Sequence, residues 1–280
     1  MKYAICASFN AGLPLARAIP LIRQAGFEVI SLAAEGAEPS YLSSEGRREI
    51  SRLVAEHGVR IDSLHAPYPK ADRLFSLYDA DRQEALRLCM CAIDAAQELD
   101  CPAVVIHLIQ PYGIPEGDAR RRMIDAGRKS IGLLLSHASK REVKIAMENG
   151  QEAAYDETLC RFLEEFDSEQ VGLCYDTGHA NVLGRCFWLL EELGSRLLTL
   201  HIHDNAGRDD HLLPYEGNID WNLFWKTLVS TGYDGALHLE ASTRRSSFKE
   251  PEVFLSEARE RLDRIRRSGC GSGSGSDGRQ

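Results

Sequence analysis

Eight short apolar, β-rich runs recur along the chain: YAICASF (3–9), EVISLAA (28–34), RIDSLHA (60–66), AVVIHL (103–108), KIAMEN (144–149), VGLCYD (171–176), LLTLHIHD (197–204) and GALHLEA (235–241). Most are continuous rather than alternating, the pattern of parallel strands covered on both faces. Between them the apolar positions switch to helical spacing. LARAIPLIRQAG and RREISRLVAEHG end in Gly26 and Gly58, each a helix stop. ADRQEALRLCMCAIDAAQELD and ARRRMIDAGRKSIGLLLSHASKR read as long amphipathic helices, and ETLCRFLEEF, CFWLLEELGSR, NLFWKTLVSTG and EVFLSEARERLDRIRR as four more. Strand then helix, eight times over, predicts an α/β fold, a single (β/α)8 TIM barrel. The alternative is a doubly wound open sheet, but SFNAGLP after the first run is not a glycine-rich phosphate loop. The barrel is expected to fill residues 1–267 as one catalytic domain, with 268–280 a flexible Gly/Ser-rich tail.

The polar residues inside the apolar runs gather at their C-terminal ends. Run three ends in His65, run four in His107, run five in Glu148 and run six in Asp176; run seven ends in His201, His203 and Asp204, and run eight in Glu240. In a (β/α)8 barrel these ends converge on one face, where sites are built. A lone strand histidine is usually a core residue, and a lone carboxylate at a strand end is usually a helix cap. Together they are another matter, because several carboxylates and imidazoles buried side by side need a counter-charge. A divalent cation supplies it. Imidazole and carboxylate donors suit Zn, Mn, Fe or Co better than Mg or Ca. His179 lies three residues past Asp176, and Asp209 and His211 follow run seven; these last two fit loop solvation as well as they fit ligation. His57 and His137 fall on predicted helices and read as surface, and His238 as core or support for Glu240.

Composition narrows the function classes. The 280 residues are 44% hydrophobic and 27% charged, as in an ordinary soluble globular protein. A net charge of −9 opposes a nucleic-acid partner, which needs a basic face. No apolar stretch is long enough to span a bilayer, and MKYAICASFN lacks the apolar core of a signal peptide. The eight cysteines form no CxxC pair and read as reduced thiols of a cytoplasmic protein. Assembly into a homo-oligomer is left open.

The motifs SLHAPY, VVIHL, AMENG, CYDTGHA, LHIHDN, DDHLLPYEGNIDW and HLEA occur in order on these strands. In that order the chain resembles the xylose isomerase-like TIM barrels, which include sugar and sugar-phosphate isomerases and epimerases and also endonuclease IV. For the isomerases the resemblance implies one divalent metal held by Glu148, Asp176, His201 and Glu240, with His203 the fallback ligand on run seven. It implies proton transfer through an enediolate, with Glu148 and Glu240 as base and acid. His179 and Arg208 would steady substrate oxygens, and His65 and His107 would meet hydroxyls further out. For the endonuclease branch it implies up to three zinc ions on His65, His107, Glu148, Asp176, His179, His201, Asp209, His211 and Glu240, with Tyr68 also in place. The expected function is therefore a metal-dependent sugar or sugar-phosphate isomerase or epimerase. The alternatives are a multinuclear zinc phosphodiesterase acting on abasic DNA and a metal-dependent sugar-acid lyase or dehydratase. Tyr215 stands where the family commonly has glycine. Whether the substrate is phosphorylated turns on which of Arg73, Arg120 and Arg244 face the bowl.

Overall fold

A computed structural model describes residues 1–34, 40–109 and 115–268. The Gly/Ser-rich tail from residue 269, with Cys270, and part of the segment after run four therefore lie outside the described residues. Eight strands are present: β1 Tyr3–Cys6, β2 Val29–Leu32, β3 Arg60–His65, β4 Ala103–Ile106, β5 Lys144–Glu148, β6 Val171–Asp176, β7 Leu197–His201 and β8 Leu237–Leu239. The helices between them are α1 Leu15–Gln24, α2 Ser44–His57, α3 Asp79–Glu98, α4 Gly117–Ser139, α5 Ala153–Glu165, α6 Thr177–Leu183, α7 Trp188–Leu193, α8 Trp221–Ser230 and α9 Pro251–Ser268.

The strands are all parallel, in the order β7-β6-β5-β4-β3-β2-β1-β8. Just past the end of β7 the ladder nearly closes on β8. Ile202 N donates to His238 O at 2.8 Å, and Glu240 N donates to Ile202 O at 3.0 Å. The result is the (β/α)8 barrel that the alternation predicts.

The strands are shorter than the apolar runs, and that matters for the site. His107, His203, Asp204 and Glu240 lie just beyond the last residue of their strands, where the chain turns into loops. The sequence pattern also missed α6, because TGHANVL carries too few apolar positions to show a helical period. Asp176 starts this helix as its N-cap, accepting from His179 N at 2.6 Å.

Alternate strand residues face opposite sides of the sheet. Ile145 and Met147 of β5, Leu173 and Tyr175 of β6, and Leu237 and Leu239 of β8 join the large core between strands and helices. Val105, Ala146 and Cys174 form a separate small cluster. Two residues further along the chain come His107, Glu148 and Asp176. The period of two thus carries the face occupied by small residues up to the donors at the mouth.

Candidate metal centre

Neighbouring motifs hold the donors in place through their backbones. Asn149 clamps the end of β6: Asp176 N donates to its Oδ1 at 2.6 Å, and its Nδ2 donates to Asp176 O at 3.0 Å. Asn205 Nδ2 donates to Gly178 O at 2.9 Å, tying the end of β7 to the start of α6. A Cβ on Gly178 would stand 1.9 Å from Cε1 of His203, so only glycine leaves room for that ring. Asp204 is a structural anchor. Its Oδ1 accepts from Asn205 N and Ile219 N at 2.9 and 3.2 Å, and its Oδ2 from Tyr215 N and Trp221 Nε1 at 2.8 and 2.9 Å.

Glu148, Asp176, His201 and Glu240 each offer one donor atom, and these atoms lie within 4.8 Å of one another. His201 Nδ1 is 3.1 Å from Glu148 Oε1 and 3.3 Å from Glu240 Oε2. Two further sets share Glu148 with the first, one with His65 and His107 and one with Cys174 and His201, and a fourth is His203, Asp209 and His211. His65 Nε2 and His107 Nε2 stand 3.3 and 3.2 Å from Glu148 Oε2, which still makes no aligned hydrogen bond. His203 Nε2 lies 3.1 Å from Asp176 Oδ1, and its ring stacks on His211 at 4.1 Å. His179 Nε2 lies 3.6 Å from Asp209 Oδ2. All ten expected metal-site residues therefore meet at one mouth.

Three imidazoles have Nδ1 engaged by a backbone carbonyl. Nδ1 donates to Ala66 O from His65 at 2.8 Å, to Asn149 O from His179 at 2.8 Å, and to Glu240 O from His211 at 2.9 Å. A carbonyl can only accept, so each neutral ring keeps its Nε2 lone pair for a ligand. His107 Nδ1 faces buried Asp72 Oδ2 at 3.2 Å. This is the carboxylate-on-histidine support common behind metal ligands. Asp72 was missed because DR within PYPKADRLF carries no strand-end signal.

Electrostatics agree with a cluster in need of a cation. Burial alone lowers His107 and His179, yet their neighbours outweigh it. Glu148 and Asp72 push His107 up to about 10, and Asp176, Asp209 and Glu148 push His179 up to about 10. Burial raises Glu148, but His201 and His107 overcome it and hold this carboxyl well below its usual range. Without an ion, then, protons on imidazoles balance the buried carboxylates. The O and N donors, convergent and partly unpaired, fit a divalent cation of the Zn, Mn, Fe or Co type.

Seven of these donors, His65, His107, Glu148, His179, Asp209, His211 and Glu240, line a cavity of about 480 Å³ together with Tyr68, Gln151, Arg244 and Arg245, while Asp176, His201 and His203 are not part of its lining. Tyr68 is 55% exposed, and its ring edge faces His107 at 6.3 Å between centroids. Gln151, also missed from sequence, donates to Asp209 Oδ2 at 3.0 Å. Arg208, expected to steady substrate oxygens, has a side chain that is 79% exposed, is not part of the cavity lining and pairs with Asp210 at 3.3 Å. Buried His238 presents its ring edge to His201, 5.6 Å between centroids.

Comparison with known proteins gives these arrangements a context. The family model described as xylose isomerase-like TIM barrel matches residues 19–265. An uncharacterized protein, y4fM of Sinorhizobium fredii, is 31% identical over 262 residues, 84% of each chain. L-ribulose-5-phosphate 3-epimerase UlaE of Escherichia coli is 23% identical over 86% of each chain. A crystal structure of a D-tagatose 3-epimerase-like protein is 25% identical, with a TM-score of 0.77 over 96% of this chain and 100% of that one. An L-ribulose 3-epimerase structure has a TM-score of 0.80 at 17% identity, over 99% and 100% of the two chains, a likeness of fold.

Proposed function

This chain belongs to the xylose isomerase-like TIM barrel family, and on that premise we propose that it is a divalent-metal-dependent epimerase or isomerase of a sugar or sugar phosphate. One observation carries the reading: Glu148 and Glu240, from β5 and β8, approach His201 Nδ1 to 3.1 and 3.3 Å, bringing two carboxylates to one point of the cavity. The names of the epimerase relatives support the same chemistry.

Glu148, Asp176, His201 and Glu240 would hold the ion. When bound, it supplies a Lewis acid that stabilises negative charge developing on substrate oxygens. The acid–base work falls to the chain itself. Glu148, kept ionised by His201 and His107, takes the proton from the carbon beside the carbonyl, leaving an enediolate and a neutral carboxyl. Glu240, entering as the acid, returns a proton and leaves as carboxylate. Return to the other face of the same carbon inverts it, which is epimerisation; return to the neighbouring carbon, with the hydroxyl proton passing to the former carbonyl oxygen, gives isomerisation. His179 and Tyr68 stand in the same cavity to orient substrate oxygens.

The test is exchange of the substrate α-proton for deuterium in D2O, followed by NMR. Glu148→Gln and Glu240→Gln should each slow exchange by about 10²–10⁴-fold with unchanged circular dichroism. Near-normal exchange in both variants removes the acid–base assignment.

One observation favours a second reading. The four donor sets, three of them sharing Glu148, offer more than one metal position, as a multinuclear phosphodiesterase requires. That reading expects three metals per chain by elemental analysis and nicking of abasic DNA. One metal per chain and no nicking excludes it.

A further inference from the structure

The mouth is strongly acidic, with Glu148, Asp176, Asp209 and Glu240 all contributing donors. Against that background the cavity wall carries two arginines, Arg244 and Arg245. Arg245 is committed: its Nη1 pairs with Asp210 and donates to Asp209 O at 3.3 Å. Arg244 differs, because no described carboxylate lies within ion-pair distance of it. Arg73 and Arg120, the other two arginines on which phosphate recognition was expected to turn, are absent from the cavity lining and paired elsewhere, Arg73 with Asp81 at 3.1 Å and Arg120 with Glu157 at 3.4 Å.

Although the Arg244 side chain is exposed, its base is fixed. Ser242 N donates to His211 O at 2.9 Å, and Thr243 N donates to Phe9 O at 2.8 Å. Lys249 Nζ donates to the carbonyls of Thr243 and Arg244 at 3.0 and 2.9 Å. The segment after β8 is thereby pinned between the loops that follow β1 and β7. Ser8 and Ser242 line the same cavity and add hydroxyl donors. A guanidinium on an anchored backbone, with no carboxylate partner among the described residues and beside hydroxyls, has the chemistry of an oxyanion site. The loops after strands seven and eight of such barrels frequently form phosphate sites.

We propose that Arg244, with Ser8 and Ser242, is the subsite for an anionic end of the substrate, so that the substrate is a sugar bearing a phosphate or a carboxylate rather than a neutral sugar. This deepens the epimerase reading and rests on it only for the carbohydrate part of the ligand.

Calorimetric titration of the full metal-loaded chain tests it with three matched ligands: a neutral ketopentose, its 5-phosphate and a sugar acid of the same length. At least one anionic ligand should bind tenfold or more tighter than the neutral sugar, with the gain shrinking as salt rises. The gain should fall below about threefold in Arg244→Gln and return in part in Arg244→Lys. Which anion benefits identifies the source, phosphate or carboxylate. Equal binding of all three ligands, or a gain that survives Arg244→Gln, overturns the subsite and leaves the epimerase reading standing. If no sugar binds, the epimerase reading falls and inorganic phosphate, titrated into the same chain, decides the subsite alone. Phosphate binding weakened tenfold in Arg244→Gln supports the proposal; equal binding, or none, in both chains overturns it.

Discussion

Asp204 was legible as part of a polar cluster but not as the residue that shapes the neighbouring loop. Its four nitrogen donors come from residues 205–221, so it organises YEGNIDW rather than joining a donor set. Tyr215 shows the consequence. It stands in a glycine-like position and adopts φ +71, a left-handed conformation that side chains rarely take. Its N–H is caught by Asp204, and its ring lies 3.8 Å from the guanidinium carbon of Arg264. A cation on an aromatic face and an ionic hydrogen bond offset the backbone cost. Asp204→Ala leaves those donors without their acceptor, so we expect a loss of at least about 3 kcal/mol, read as a lower urea midpoint at unchanged slope. A variant within about 1 kcal/mol of wild type means that packing alone holds the loop.

At the scale of elements, α5 shows burial and electrostatics in competition. Asp156 lies in its first turn, where the helix N-terminus favours a negative charge. Its Oδ1 accepts from Gly150 N at 2.9 Å. Burial still dominates and raises this carboxyl to about 6. The folded chain therefore keeps the proton to about pH 6, whereas the unfolded chain loses it near 3.8. Stability from this group is complete below pH 3.8 and is lost as pH rises through 6, by about 3 kcal/mol. Asp156→Asn keeps an acceptor without the charge. At pH 7 it should be more stable than wild type, with the difference closing towards pH 4 in urea titrations. A difference independent of pH contradicts burial of charge as the cause. The helix itself was legible from its apolar spacing; the depth of one acid on it was not, because periodicity assigns a face without a burial.

For the whole molecule, the cluster of carboxylates joins β5, β6, β8 and the loop after β7, so a bound cation links distant parts of the barrel. Chelation should lower the melting temperature, since a ligand at a thousandfold excess over its Kd stabilises by about 4 kcal/mol. Glu148 serves three donor sets and is buried, whereas Glu240 serves one. Glu148→Gln should therefore lose more of the metal-dependent gain in melting temperature than Glu240→Gln; the reverse order would count against a shared Glu148. The sequence alone determined the barrel, because parallel strands buried on both faces need apolar runs and their covering helices need a 3.6-residue stripe. It also determined that His, Asp and Glu meet at one mouth, because strand ends of a closed barrel have nowhere else to converge. Only the tertiary structure decided that Asp72 faces His107, that Arg208 pairs with Asp210 and that Arg244 lines the cavity with no carboxylate partner among the described residues. Those outcomes depend on loop paths and side-chain partners far apart in the chain, and local periodicity holds no record of either.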